Sequence, residues 1–139
     1  MDNVVDTAKT YGLTHLAIDV DDIERTLKFY QSVFDMRIMY HKEDMIQLTT
    51  PGCNDIIVFQ RNKTNVIGDS GGIAHFGFRL REPKDIDEFN ERIINAGGKI
   101  IDKGEFVPGS PYLFFKDPDN YTVEIWYELL PTLTAGRKE

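Results

Sequence analysis

Thr14-His15-Leu16-Ala17-Ile18 and Ala74-His75-Phe76-Gly77-Phe78 are two copies of one pattern. In each copy a histidine enters a strand-like alternation, a helix-like stretch follows, and three apolar runs come after it. The last run ends at Gln60 in the first copy and at Tyr127 in the second. The order along each copy is therefore β-α-β-β-β. Such self-similarity is a statement about fold, because each copy exposes a sheet face that the other can cover. The expected class is α+β: two tandem βαβββ modules forming a curved mixed sheet. The expected organisation is a single domain over 1–139, with module one at 13–60, a linker at 61–72, module two at 73–127 and a loose tail at 128–139.

Residues 13–20 alternate, with Leu13, His15, Ala17 and Asp19 on one side and Leu16, Ile18 and Val20 on the other. Asp21 is the expected helix cap, with Glu24 three residues on as in a capping box. Ile23, Leu27, Tyr30 and Phe34 then recur at helical spacing. Met36–Tyr40 and Met45–Thr49 read as strands joined by a polar turn, His41-Lys42-Glu43-Asp44. A third apolar run covers Asp55 to Gln60. In the second copy, Ile73–Leu80 reads as a strand, and Ile86, Phe89, Ile93 and Ala96 mark a helix face. Gly97-Gly98 ends that helix, since glycine accepts the left-handed conformation there. Lys99–Asp102, Tyr112–Lys116 and Tyr121–Glu128 read as strands. Phe106–Pro111 is a loop, and Asp117-Pro118-Asp119-Asn120 is a turn.

Length and composition narrow the class. The chain has 139 residues, 41% hydrophobic and 28% charged, ordinary values for a globular domain. The net charge is -7, and the 16 Lys and Arg are scattered, so neither a nucleic-acid surface nor an anionic membrane is the expected partner. The single cysteine, Cys53, can form no internal disulfide, which fits a reducing compartment. Met1–Gly12 is polar and has no signal-peptide run. The expected location is cytoplasmic.

The chemistry-bearing residues are few. His15 and His75 hold equivalent strand positions, and Glu124 lies mid-strand between Val123 and Ile125. Two histidines and a carboxylate on strands are the ingredients of a divalent metal site with open coordination positions. Donors of this type suit Fe, Mn, Zn or Ni. A lone strand histidine is more often structural, and a strand carboxylate can simply face water; the matched histidines and Trp126 beside Glu124 weigh toward a pocket. Arg79 shares a strand face with His75 and is a candidate to hold a substrate carboxylate or phosphate, or alternatively a rim ion pair. Tyr112 and Phe114 share a face by alternation. Tyr112 is a candidate general acid or a wall residue, and Phe114 and Trp126 are candidate substrate contacts. Gln47 and Thr49 are candidates to line the first module. Acidic runs at Asp19–Asp22 and Asp117–Asp119 are better explained by capping and turns than by calcium.

Thr14-His15-Leu16-Ala17-Ile18, Phe29-Tyr30, and the run from Phe114 through Asp117-Pro118-Asp119-Asn120 to Glu124 together resemble the vicinal oxygen chelate superfamily. This group holds glyoxalases, extradiol dioxygenases, fosfomycin-resistance proteins and bleomycin-binding proteins. The resemblance covers about Leu13 to Tyr127 and implies the glyoxalase/dioxygenase-like fold and a homodimer. It also implies metal ligands on the first and last strands of each module: His15, His75 and Glu124. Laying Asp55-Ile56-Ile57-Val58-Phe59 over Thr122-Val123-Glu124-Ile125-Trp126 puts the fourth position on Ile57, which cannot ligate.

The resulting expectation is a metal-dependent enzyme acting on a small oxygen-rich molecule through a His-His-Glu site. Ligand number leans it toward dioxygenase-like chemistry. The alternatives are a glyoxalase-type lyase or isomerase, and a metal-free drug-binding protein of the bleomycin-resistance kind. Whether modules pair within a chain or swap between chains is open.

Overall fold

The structure, a computed structural model, describes residues 8–62 and 66–128. Residues 63–65 of the expected linker, 129–139 of the expected tail, and 1–7 of the N-terminal segment lie outside the described residues. The chain divides between Asn65 and Val66 into two compact units.

The first unit runs β1 (His15–Val20), α1 (Ile23–Phe34), β2 (Arg37–Lys42), β3 (Met45–Thr49) and β4 (Ile56–Arg61). Its four strands are ordered β1-β4-β3-β2, with β1 and β4 parallel and the remaining pairs antiparallel. The α1 helix covers one face of this sheet. Tyr30 packs on Phe59 with ring centroids 4.8 Å apart, and Phe29, Tyr30, Val33, Ile46, Leu48 and Phe59 are all but sealed from solvent. Each such side chain contributes about 1.5–3 kcal/mol of burial free energy. Thr26, Phe29 and Val33 join the predicted Ile23, Tyr30 and Phe34 in the core. Leu27 stays half-buried at the margin.

The cap of α1 is Asp22, not Asp21. Asp22 has the extended backbone a cap needs, directly before the first helical residue, and its carboxylate accepts from the Arg25 N–H at 3.1 Å. Glu24 therefore stands one place too early to close a capping box. His41 also departs from expectation: it lies within β2, because the hairpin turns tightly at Glu43-Asp44, and it sits 3.7 Å from Glu24.

The second unit repeats the order: β5 (Phe76–Arg79), a single 3-10 turn at Pro83–Asp85, α2 (Ile86–Asn95), β6 (Lys99–Glu105), β7 (Pro111–Lys116) and β8 (Thr122–Trp126). The strand order is β5-β8-β7-β6, again with the first and last strands parallel. The protein is thus α+β, with two βαβββ modules in tandem. β5 is shorter than expected, because Ser70 already accepts the Ile73 N–H in a turn and Ile73 is exposed. β6 is longer, continuing to Glu105. The α2 helix ends as predicted: Gly97 takes φ 98° and Gly98 N–H reaches back to the Ile93 carbonyl at 2.8 Å. The Asp117–Asn120 turn is closed by the Asp117 carboxylate, which accepts from Asp119 and Tyr121 N–H at 3.0 and 2.9 Å.

The repeat extends to irregularities. The outer strands β2 and β6 each shift register once, between Ile38 and Tyr40 and between Ile100 and Asp102. Such bulges twist an edge strand away from further pairing. Among the described residues no helix is long and apolar enough to cross a membrane.

Candidate active site

In the second unit, the face of the sheet away from α2 carries the candidate residues. Parallel pairing puts Gly77 beside Glu124 and Arg79 beside Trp126; antiparallel pairing puts Phe114 beside Glu124 and Tyr112 beside Trp126. The intervening Val123, Ile125, Leu113 and Phe115 point into the core and are buried. Strand alternation therefore gathers Arg79, Tyr112, Phe114, Glu124 and Trp126 onto one surface, which His75, directly before β5, joins through Glu124.

At its centre, His75 Nε2 lies 3.1 Å from Glu124 Oε1. Glu124 is 9% exposed, an unusual place for a carboxylate. Burial pushes its carboxyl above the ordinary carboxylate range, and the charge and hydrogen bond of His75 pull in the opposite direction. Gly77 lets the strand that bears this carboxylate lie close beside it. A Cβ there would fall 2.9 Å from the Glu124 carbonyl oxygen and 3.3 Å from its Cβ, so the two strands approach closely only because residue 77 has no side chain. Phe114 meets the imidazole edge-on, with centroids 5.0 Å apart at 86°, and limits its rotation.

The flanking residues are partly engaged within the protein. Arg79 donates from Nε and Nη2 to the Glu128 carbonyl at 3.1 and 2.6 Å, and lies 6.0 Å from the Trp126 and Tyr127 rings. Tyr112 OH is 3.4 Å from Asp102 Oδ2, and its ring lies across Gly104. Neither Gly77 nor Asp102 was identified from the sequence as part of the site. The signal for Gly77 was available, since glycine inside a strand marks a close backbone approach.

In the first unit His15 opens β1 and is exposed, on the face away from α1 with Ala17 and Asp19. The pairing also corrects the fourth position. Leu16 pairs with Ile57 and Ala17 with Val58, just as Phe76 pairs with Val123 and Gly77 with Glu124. The counterpart of Glu124 is therefore Val58, whereas Ile57 faces the α1 core. The misalignment came from counting Asp55 as the start of the strand. Asp55 belongs to the preceding turn, where its carboxylate accepts from Thr50 N–H at 2.7 Å and Thr50 Oγ1 at 2.6 Å. Val58 ligates no better than Ile57. Gln47 pairs with Val58 and so shares its face, while the Thr49 hydroxyl is committed to Asp55.

The donor set fits a divalent cation in chemistry: a buried carboxylate oxygen from β8 converges with the imidazole nitrogen of His75, which stands directly before β5 rather than within it as expected, and both are of the type such ions take. Within neither unit do three His, Cys, Asp or Glu side chains come together as a complete ligand set among the described residues. In the second unit the pair is His75 and Glu124.

Two βαβββ modules in tandem, with a histidine at the start of each and a buried Glu in the last strand of the second, define a class of protein, and comparison names it. The profile of the Glyoxalase/Bleomycin resistance protein/Dioxygenase superfamily matches residues 12–125, and the chain belongs to this superfamily. Its relatives include lactoylglutathione lyase of Neisseria meningitidis, 28% identical over 122 residues, covering 81% of this chain and 87% of that protein. The fosfomycin resistance protein FosX from Listeria monocytogenes shares the fold with a TM-score of 0.73 at 23% identity, covering 88% of this chain and 97% of that one. A mutant of that FosX, complexed with Mn(II) and 1S,2S-dihydroxypropylphosphonic acid, gives a TM-score of 0.72 at 22% identity, covering 90% and 96%. Identities this low to the solved structures carry the fold alone.

Proposed function

We propose that this chain is a metal-dependent enzyme acting on a small molecule that presents two adjacent oxygens. His75, Glu124 and His15, the first-unit counterpart of His75, would hold a divalent ion. The observation that carries the reading is the 3.1 Å approach of His75 to the buried Glu124, on a face that also carries the rings of Phe114, Tyr112 and Trp126. A buried carboxylate needs a compensating partner, and His75 offsets only part of the effect of burial on Glu124.

The bound ion would supply Lewis-acid stabilisation of developing negative charge on a substrate oxygen. The chain's own residues do the rest. Glu124 and His75 would supply two of the ion's donor atoms, and Phe114 packs edge-on against the imidazole. Tyr112, hydrogen-bonded to Asp102, is the candidate proton donor. Arg79, braced on Glu128, is the candidate substrate anchor beside Trp126. With Val58 at the fourth position, three protein donors leave room for a two-oxygen ligand. That count leans toward dioxygenase-like chemistry, with lyase or isomerase chemistry as the second reading, favoured by the similarity to lactoylglutathione lyase. The solution state we propose is a cytoplasmic homodimer.

Metal analysis of the purified protein and of His15→Ala, His75→Ala and Glu124→Ala tests the site; undiminished metal in the last two variants rejects it. Oxygen uptake with a catechol after anaerobic loading with Fe(II), against turnover of a glutathione hemithioacetal, separates the two reactions. A metal-independent complex with a cationic drug would instead favour a sequestering protein.

A further inference from the structure

On the helix side of the second sheet, away from His75 and Glu124, a cleft of about 240 Å³ opens between the start of α2 and the paired ends of β6 and β7. Lys103 pairs with Leu113 and Glu105 with Pro111, and Leu113 is buried beneath α2. By alternation these side chains stand on the face opposite Tyr112, Phe114 and Glu124. Ile86, Pro111 and Leu113 give the cleft an apolar floor. Its rim is polar: Asp87 and Asn90 come from the helix wall, Lys103 and Glu105 from the strand wall. The Glu105 carboxylate is already engaged, accepting from the Gly109 N–H at 3.2 Å. Asp87, Asn90 and Lys103 make no side-chain hydrogen bond or ion pair among the described residues. One carboxylate, one ammonium and one amide therefore remain available, and the two opposite charges share a cleft without meeting.

We propose that this cleft binds a small aliphatic amino acid. The ligand's ammonium meets Asp87, its carboxylate meets Lys103, and its side chain lies on the floor of Ile86, Pro111 and Leu113. Three features select this class. The available charges of the rim sum to zero, which matches a zwitterion and leaves a simple anion or cation facing one like charge. The floor rewards an uncharged, apolar side chain. The volume falls below the roughly 300–1,000 Å³ of pockets that hold drug-sized ligands, so the occupant is smaller than these. Asn90 carries both a donor and an acceptor and can serve either charged end. None of these residues belongs to the His75–Glu124 site, and the proposal stands apart from the metal chemistry.

Amide-shift NMR titration of the metal-free protein tests it with three ligands of one shape: L-leucine, isocaproate, which lacks the amine, and isoamylamine, which lacks the carboxylate. L-Leucine should move the Asn90, Lys103 and Leu113 amides. It should bind about 2- to 5-fold more tightly than either partial ligand, the range of one solvent-exposed ion contact. Lys103→Met should abolish the advantage of leucine over isoamylamine and leave the amine bound no more weakly. Asp87→Asn should abolish its advantage over isocaproate and leave that acid bound no more weakly. Lys103→Arg should retain the wild-type order. A general loss of structure would weaken all three ligands together and could not produce this crossed pattern. Glycine, with no side chain for the floor, should leave the amides unmoved. The proposal is overturned if L-leucine moves none of these amides at tens of millimolar, if a partial ligand binds as tightly as leucine, or if both charge variants keep the wild-type order.

Discussion

Gly77 and Glu124 sit side by side on parallel strands, and a Cβ on the glycine would lie 2.9 Å from the glutamate's carbonyl oxygen. The strand that bears the candidate carboxylate thus lies this close because its neighbour has no side chain. The counterpart pair in the first unit, Ala17 and Val58, has a Cβ on the first strand and no carboxylate on the last.

Gly77→Ala should therefore destabilise the protein by about 1–3 kcal/mol, the usual range for forcing a methyl group into packed surroundings. Urea denaturation of the metal-free protein measures this directly. An unchanged midpoint would mean that the strands separate at no cost and that Gly77 has no positioning role.

Glu124→Gln keeps the shape of the side chain and removes the charge. Divalent metal affinity should fall at least about 100-fold, beyond the 10- to 100-fold loss typical of a ligand's hydrogen-bonding partners. Isothermal titration with Mn(II) reads the loss; wild-type affinity in this variant would remove Glu124 from the ligand set.

The same variant has a pH signature. Because burial raises the Glu124 carboxyl, the native metal-free protein holds that proton to higher pH than the unfolded chain does. Between the ordinary carboxylate value, about 4.3, and the raised one, the native state binds more protons, so stability falls as pH rises through the window. Wild type should show this decline relative to Glu124→Gln, which does not titrate. Parallel stability profiles for the two proteins from acid to neutral pH would contradict it.

Phe114→Ala should loosen His75 without touching either donor atom. The edge-on ring contact is worth about 0.5–1.5 kcal/mol, so metal affinity should weaken by up to about 10-fold and Phe114→Tyr should restore it. The His75 imidazole resonances, broadened in Phe114→Ala and sharp in Phe114→Tyr, provide a readout that simple loss of stability would not produce.

Register can be tested at β4. Ile57→Glu puts a charge beneath α1 and should destabilise by several kcal/mol. Val58→Glu, on the other face, should cost at least about 1 kcal/mol less, because its carboxylate avoids the helix-covered core. Divalent metal should raise the melting temperature of the Val58 variant more than that of the Ile57 variant. The reverse order of stability would return the fourth position to Ile57.

The sequence by itself determined the two-module α+β fold and the pattern of buried and facing residues within each strand. Period-two alternation and the repeated histidines are local signals, and they survive in any arrangement of the strands. It also brought out His75, Glu124, Tyr112, Phe114, Arg79 and Trp126, because residues of one parity along neighbouring strands must share a face. Only tertiary structure decided which residues stand side by side. Pairing register depends on hydrogen bonds between segments distant in the chain, and a slip of one residue turns every side chain to the opposite face. For that reason Ile57 was mistaken for Val58 once Asp55 had been counted into the strand, although its carboxylate closes a turn. For the same reason Gly77 marked a close backbone approach in the sequence, but that its neighbour is Glu124 was decided only when the strands were laid together.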